Sequence, residues 1–140
     1  GGQIIDIESE GQNVDLDTVN YIHYHKTAAL IEASIICGGV VAGISQDDQK
    51  ALTEYGNHIG LAFQIVDDIL DIESTTEQLG KDVGSDVAKG KATYPAILGM
   101  EESKKRVKEH HAQAIECLQN LSIDTQILKD IADFIITRVY

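Results

Sequence analysis

A chain of 140 residues with 43% hydrophobic side chains is long enough for one domain with a buried core. Its 23 acidic against 11 basic residues give a formal net charge of −12, which opposes binding to nucleic acid or an anionic membrane surface. A phosphate-bearing ligand would therefore need locally placed lysines or a bridging metal.

The first residues place Ile4, Ile5 and Ile7 beside Gln3, Asp6 and Glu8, which suits the last turns of a helix up to residue 10. The chain starts Gly1-Gly2-Gln3 without a methionine, so an interior piece of a longer protein is expected, and no signal or transit pattern is visible. Gly11-Gln12-Asn13 breaks the helix, and Asp15 or Asp17 can cap the next one, expected from about residue 18 to 42. No run there reaches membrane-spanning length, because residues 28–44 are interrupted by Glu32, Ser34 and glycines at 38, 39 and 43. Ala28, Ala29, Ala33, Gly38 and Gly39 allow a neighbouring helix to approach closely. Lys26-Thr27 lies early in this helix, and Lys26 either snorkels outward or faces a partner.

Gly43 ends that helix, and Ser45 can cap a third that runs to about Glu73. Within it, residues 60–71 read GLAFQIVDDILD. At 100° per residue, Gly56, Gly60, Gln64, Asp67, Asp68 and Asp71 share about one third of the circumference, and apolar residues cover the rest. Such a helix is expected to be enclosed by protein, with its acidic stripe lining a cavity. Three ionised carboxylates in a partly dry cavity repel one another unless cations neutralise them, and Mg2+, which takes one or two carboxylates plus water and phosphate oxygens, suits the stripe. The alternative is a solvated acidic helix end. A short turn joins the two long helices, so they should lie antiparallel, with Lys26 near the level of Asp67 to Asp71.

Residues 74–93 form one long irregular stretch with Gly80, Gly84 and Gly90 beside Lys81, Lys89 and Lys91, and Thr75 could cap a single turn within it. Those lysines are either plain solvated surface or, with the aspartates just before them, hold a metal-bound anion. Pro95 suits the first turn of a further helix, residues 101–120 are helical and charged on one face, and Asp124 can cap a last helix. There Ile127, Leu128, Ile131, Phe134 and Ile135 form an apolar stripe. No strand or internal repeat is recognisable, so the class is all-α. Cys37 and Cys117 have no metal or redox spacing and are expected in the core, which fits a reducing compartment. The five histidines offer no identifiable catalytic pair.

Four segments in order carry a resemblance: Gly2-Gln3 with Asp6; Lys26-Thr27; Phe63-Gln64 followed by Asp67-Asp68 and Asp71; and Gly80-Lys81-Asp82 through Gly84-Ser85-Asp86 to Gly90-Lys91-Ala92-Thr93-Tyr94-Pro95. Together they resemble the trans-isoprenyl diphosphate synthases, the polyprenyl synthetase family, most of all the bacterial and plastid geranylgeranyl and farnesyl diphosphate synthases. The resemblance implies an isoprenoid-synthase-like helical bundle, of which residues 1–140 are the C-terminal half of a single domain. The family's first aspartate-rich motif and its basic isopentenyl diphosphate residues would lie upstream of Gly1.

The implied reaction ionises an allylic diphosphate to a cation, which the double bond of isopentenyl diphosphate attacks before a proton is lost. By similarity Asp67, Asp68 and Asp71 hold one side of a Mg2+ cluster, with Asp67 a direct ligand, and Lys26, Lys81 and Lys91 hold diphosphate oxygens. Thr27 and Gln64 direct oxygen dipoles at the cation, and Gln3 and Asp6 line the same cavity. Implied partners are the two diphosphate substrates and a second copy of the chain or the missing N-terminal half, in the cytoplasm or a plastid stroma, without nucleic acid or a membrane span. The rival readings are a truncated, non-catalytic partner of a complete synthase and, more distantly, a terpene cyclase. Product chain length is not legible in these residues.

Overall fold

The computed structural model describes residues 1–73 and 90–139. The expectations for Thr75, Lys81 and Lys89 lie outside the described residues. In order, the elements are α1 (Gly2–Glu8), α2 (Leu16–His23), a π-helical turn (Tyr24–Ala28), α3 (Ala29–Val41), α4 (Gln46–Glu73), α5 (Tyr94–Leu98), α6 (Met100–Cys117) and α7 (Gln126–Thr137). No strand occurs among the described residues, and the all-α expectation holds.

Helix α4 is the axis of the molecule. Its 28 residues reach about 42 Å at 1.5 Å per residue, and it touches α2, the π turn, α3, α5, α6 and α7. Leu52, Tyr55, Ile59, Ala62, Ile65, Val66 and Ile69 are all buried, as the all-round apolar pattern requires. Full burial of such side chains stabilises by roughly 1.5–3 kcal/mol each for the larger ones, so this helix supplies much of the core. Tyr55 keeps its polar tip satisfied by donating to the Leu128 carbonyl at 2.7 Å, while burial pushes its phenol up to about 12.

Small residues decide how closely the long helices meet. A Cβ on Gly60 would lie 2.5 Å from the Ala28 Cα, and one on Gly56 would lie 2.8 Å from the Glu32 Cα. Backbone therefore meets backbone where α4 crosses the π turn and α3. The same holds at Gly2, whose added Cβ would stand 2.4 Å from the Lys26 nitrogen. Helix α1 thus rests directly on the turn that carries Lys26.

The local stop and start signals act largely as expected. Asp15 accepts from the Thr18 N–H at 2.9 Å, Ser45 from Asp48 at 3.1 Å and Thr93 from Ala96 at 3.4 Å. Gly43 leaves α3 with φ of 70°, a left-handed backbone that suits glycine. At α7 the cap position is Thr125, and Asp124 accepts instead from the Gln126 N–H at 2.9 Å.

Three expectations need correction. The helix expected over residues 18–42 begins at Leu16 and is interrupted by the π turn, in which the Ala29 N–H reaches back five residues to the Tyr24 carbonyl. One inserted residue rotates everything downstream by about 100°, a shift that side-chain periodicity does not reveal. Cys37 is exposed and Cys117 only half-buried, with its thiol raised mainly by desolvation. The reason is that α3 packs on α4 through its Glu32 and Gly39 side, turning Leu30, Cys37, Val40 and Val41 outward. In α7 the expected stripe splits: Leu128, Ala132, Ile135 and Ile136 meet the core, whereas Ile127, Ile131 and Phe134 are exposed.

Candidate active site

At the end of α4 distant from its N-terminus, a small cavity of about 40 Å³ opens between four parts of the chain. Helix α1 contributes Asp6, and α2 with the π turn contributes Ile22, His23 and Lys26. Helix α4 contributes Gln64, Asp67 and Asp68, and the segment before α5 contributes Lys91, Ala92 and Thr93. On α4, Gln64 and Asp68 lie one turn apart at i, i+4, directly above Gly60, where Ala28 approaches.

Each carboxylate at this cavity has a distinct partner. Lys26 Nζ donates to Asp6 Oδ2 at 2.7 Å, with the Asp6 side chain 7% exposed and that of Lys26 29% exposed. Asp67 is the open one, its side chain 42% exposed and its Oδ1 3.9 Å from the Arg138 guanidinium. That guanidinium also lies 5.4 Å from the Phe63 ring centre, a cation–π geometry. Asp68 is buried; its Oδ2 accepts the Tyr94 backbone N–H at 3.0 Å and lies 3.3 Å from His23 Nε2. Within the stripe, Asp67 is thus faced by the Arg138 guanidinium and Asp68 by the Tyr94 N–H and the His23 ring, while Lys26 balances Asp6 on α1.

Among the sequence-derived candidates, Asp6, Lys26, Gln64, Asp67, Asp68 and Lys91 converge on the cavity. Gln3 is exposed, Thr27 is half-buried within the π turn, and Asp71 is 1% exposed; none of these three lines it. Lys81 lies outside the described residues. Among the described residues, no three His, Cys, Asp or Glu side chains converge as a ready metal-holding group.

Three residues at the site were not legible beforehand. His23 sits one turn before Lys26, and that i, i+3 spacing was the only available signal. Thr93 was named only as part of the Gly90 to Pro95 segment, with no role of its own, and Arg138, at the far end of the chain, was assigned none. A different pair, His58 on α4 and His110 on α6, meets through Nδ1 atoms 3.0 Å apart, away from this cavity.

The all-helical fold, with its carboxylate- and lysine-lined cavity at the end of a buried central helix, is that of the isoprenoid-synthase-like helical bundles, as the likeness to solved prenyl synthases shows. The polyprenyl synthetase family profile matches residues 1–135. The chain is 47% identical over 142 aligned positions to a geranylgeranyl diphosphate synthase of Cyanophora paradoxa, covering 99% of this chain and 46% of that protein. It is 44% identical to the farnesyl diphosphate synthase of Escherichia coli strain K12, covering 99% of this chain and 48% of that protein. Among solved structures, a geranyltransferase from Helicobacter pylori complexed with magnesium and isoprenyl diphosphate superposes with a TM-score of 0.79 at 30% identity, over 97% of this chain and 45% of that one. This chain belongs to the polyprenyl synthetase family. It spans about half the length of the curated relatives it matches.

Proposed function

We propose that this chain forms one wall of the active site of a trans-prenyl diphosphate synthase, which joins an allylic diphosphate to isopentenyl diphosphate to give a longer prenyl diphosphate. The reading is carried by the cavity in which Lys26 and Lys91 stand with Asp67 and Asp68. Lysines alone would suit a bare anion and carboxylates alone a bare cation. Both together suit a diphosphate bound with a divalent metal.

The donor set fits Mg2+. Asp67 offers an accessible carboxylate, and Mg2+ commonly takes one or two carboxylates with water and substrate phosphate in its remaining positions. Asp67 is the direct ligand, and Asp68 and Asp71 add negative charge on the same helix. When bound, Mg2+ would supply Lewis-acid stabilisation of the charge that develops on the departing diphosphate.

Lys26, Lys81 and Lys91 grip diphosphate oxygens, and Asp6 holds Lys26 ready at 2.7 Å. Gln64 and Thr27 turn oxygen dipoles toward the carbon that becomes positive, a preorganised electrostatic role. Gln3, exposed on α1, would meet the substrate from outside the cavity. As the allylic C–O bond breaks, the isopentenyl double bond forms the new C–C bond, and the proton lost afterwards goes to the released diphosphate. No side-chain base is required. A homodimer or an assembly with an upstream half, in the cytoplasm or a plastid stroma, belongs to the same proposal.

The test is transfer of radiolabelled isopentenyl diphosphate onto an allylic diphosphate, with Mg2+, by the intact protein as isolated. Product should form, and Asp67→Asn or Lys26→Met should each slow it by about a hundredfold or more. A folded, full-length protein that forms no product would overturn the reading in favour of a non-catalytic partner of a complete synthase.

A further inference from the structure

We propose that His58 and His110 form a transition-metal site, which takes Zn2+ between α4 and α6 with Glu54 as a third ligand and water completing the coordination. The site is separate from the carboxylates at the cavity. Asp67 lies further along α4, about 14 Å away at 1.5 Å per residue.

The two rings come from different helices and meet through matching nitrogens. Their Nδ1 atoms stand 3.0 Å apart, with ring centres 5.3 Å apart and planes tilted by 43°. A metal holds imidazole nitrogens at about 2.0–2.1 Å, so two of them on one ion stand about 2.9 Å apart at a right angle and about 3.3 Å at the tetrahedral angle. A shift of a few tenths of an ångström therefore turns the hydrogen-bonded pair into a chelate. Mainly through burial, His110 is held at about 4 and His58 is also lowered, so both rings are neutral near pH 7. As the ion enters, the ring that donated its Nδ1–H passes to the Nε2–H tautomer, and no net proton is lost.

Glu54 is exposed one turn before His58, on the same face of α4. Its Oε2 lies 3.9 Å from the Cys117 Sγ, a long thiol contact that a turn of the carboxylate toward His58 gives up at little cost. Desolvation raises that thiol, which keeps it protonated and makes it a poor competitor for the ion. Arg106, one turn before His110, is engaged by Glu102 and Glu109 at 3.4 Å each, so its charge is balanced before a cation arrives. Two imidazoles, one carboxylate and water suit Zn2+, whereas Mg2+ takes oxygen ligands. Donor type thus sorts the two metals between the two places on α4.

Zn2+ added to the metal-stripped intact protein, in excess Mg2+ to occupy oxygen sites, tests the proposal by calorimetry and thermal melts. One Zn2+ per chain should bind and raise the melting temperature. His58→Gln and His110→Gln should each weaken binding by about tenfold or more, Glu54→Gln by less, and Asp67→Asn should leave it unchanged. Zinc X-ray absorption of the unsubstituted protein should show two imidazole nitrogens, a result that needs no variant. Absence of Zn2+ uptake, coordination by oxygen alone, or binding that survives loss of both histidines would overturn the proposal. Each of those outcomes leaves the synthase reading as it stands, because none depends on product formation.

Discussion

Asp6 and Lys26 meet at 2.7 Å because Gly2, one turn earlier on α1, lets that helix lie against the backbone of the π turn. The pair is built on a helix contact with no room for a side chain. Removing the ammonium leaves Asp6, almost wholly buried, without its counter-charge. Lys26→Met should therefore destabilise the fold by about 1–3 kcal/mol, less than a fully buried pair because Lys26 is partly open to water. Urea denaturation of the variant beside the parent checks this, and an unchanged midpoint would show that water reaches Asp6.

Gly60 and Gly38 look alike in sequence and should behave oppositely. A Cβ at Gly60 would strike the Ala28 backbone and side chain at 2.5 Å, whereas one at Gly38 meets nothing within 4 Å. Gly60→Ala should destabilise by about 1–3 kcal/mol or more through forced separation of the helices. Gly38→Ala, in mid-helix and exposed, should stabilise by roughly 0.5–1 kcal/mol through the lower backbone entropy of its unfolded chain. Thermal melts of the two variants should shift in opposite directions.

The His58–His110 contact predicts acid sensitivity above the carboxylate range. With Nδ1 atoms 3.0 Å apart, one ring donates and the other accepts, so the pair shares one proton. Burial, reinforced by His58 and Arg106 and opposed by Glu109, holds His110 at about 4, and burial also lowers His58, against the pull of Glu54. Since both folded values lie below the ordinary 6.5, the unfolded chain takes up protons first as pH falls. The contribution is fully present above about pH 6.5 and is lost progressively toward pH 4, by an amount of order 3 kcal/mol. His110→Leu should flatten stability against pH in that window, and a slope equal to the parent's would place the sensitivity elsewhere.

Exposed apolar side chains on two helices predict association. Ile4 and Ile7 on α1, with Leu30, Val40 and Val41 on α3, are more than half exposed, Val41 at 89%. A surface of that kind is normally covered by another chain or segment. Sedimentation velocity on the 140-residue chain should show self-association at micromolar concentration, weakened by the double change Leu30→Glu and Val41→Glu. A well-folded monomer at high concentration contradicts the prediction.

Local patterning determined a good deal by itself. The span of α4 followed from the stop at Gly43 and the cap at Ser45, and the enclosure of its second half from the apolar residues that surround the acidic stripe over residues 59–70, because burial on most sides demands that pattern at 3.6 residues per turn. The level of Lys26 relative to Asp67 followed from a short turn between two long helices. Polyprenyl synthetase membership was legible in four short motifs, which the family profile over residues 1–135 supports.

Contacts between distant segments were decided only in three dimensions. Periodicity says which face of a helix is buried, but not which residue of another helix will stand opposite, since that depends on crossing angle, helix rotation and the phase shift at the π turn. So Asp67 and Asp68, adjacent and chemically identical in sequence, take different roles: one faces Arg138 and the open cavity, the other is held by His23 and Tyr94. The outward turn of Cys37 and the split apolar stripe of α7 have the same origin. Hydrophobic pattern sets the helices, and tertiary packing assigns each polar side chain its partner.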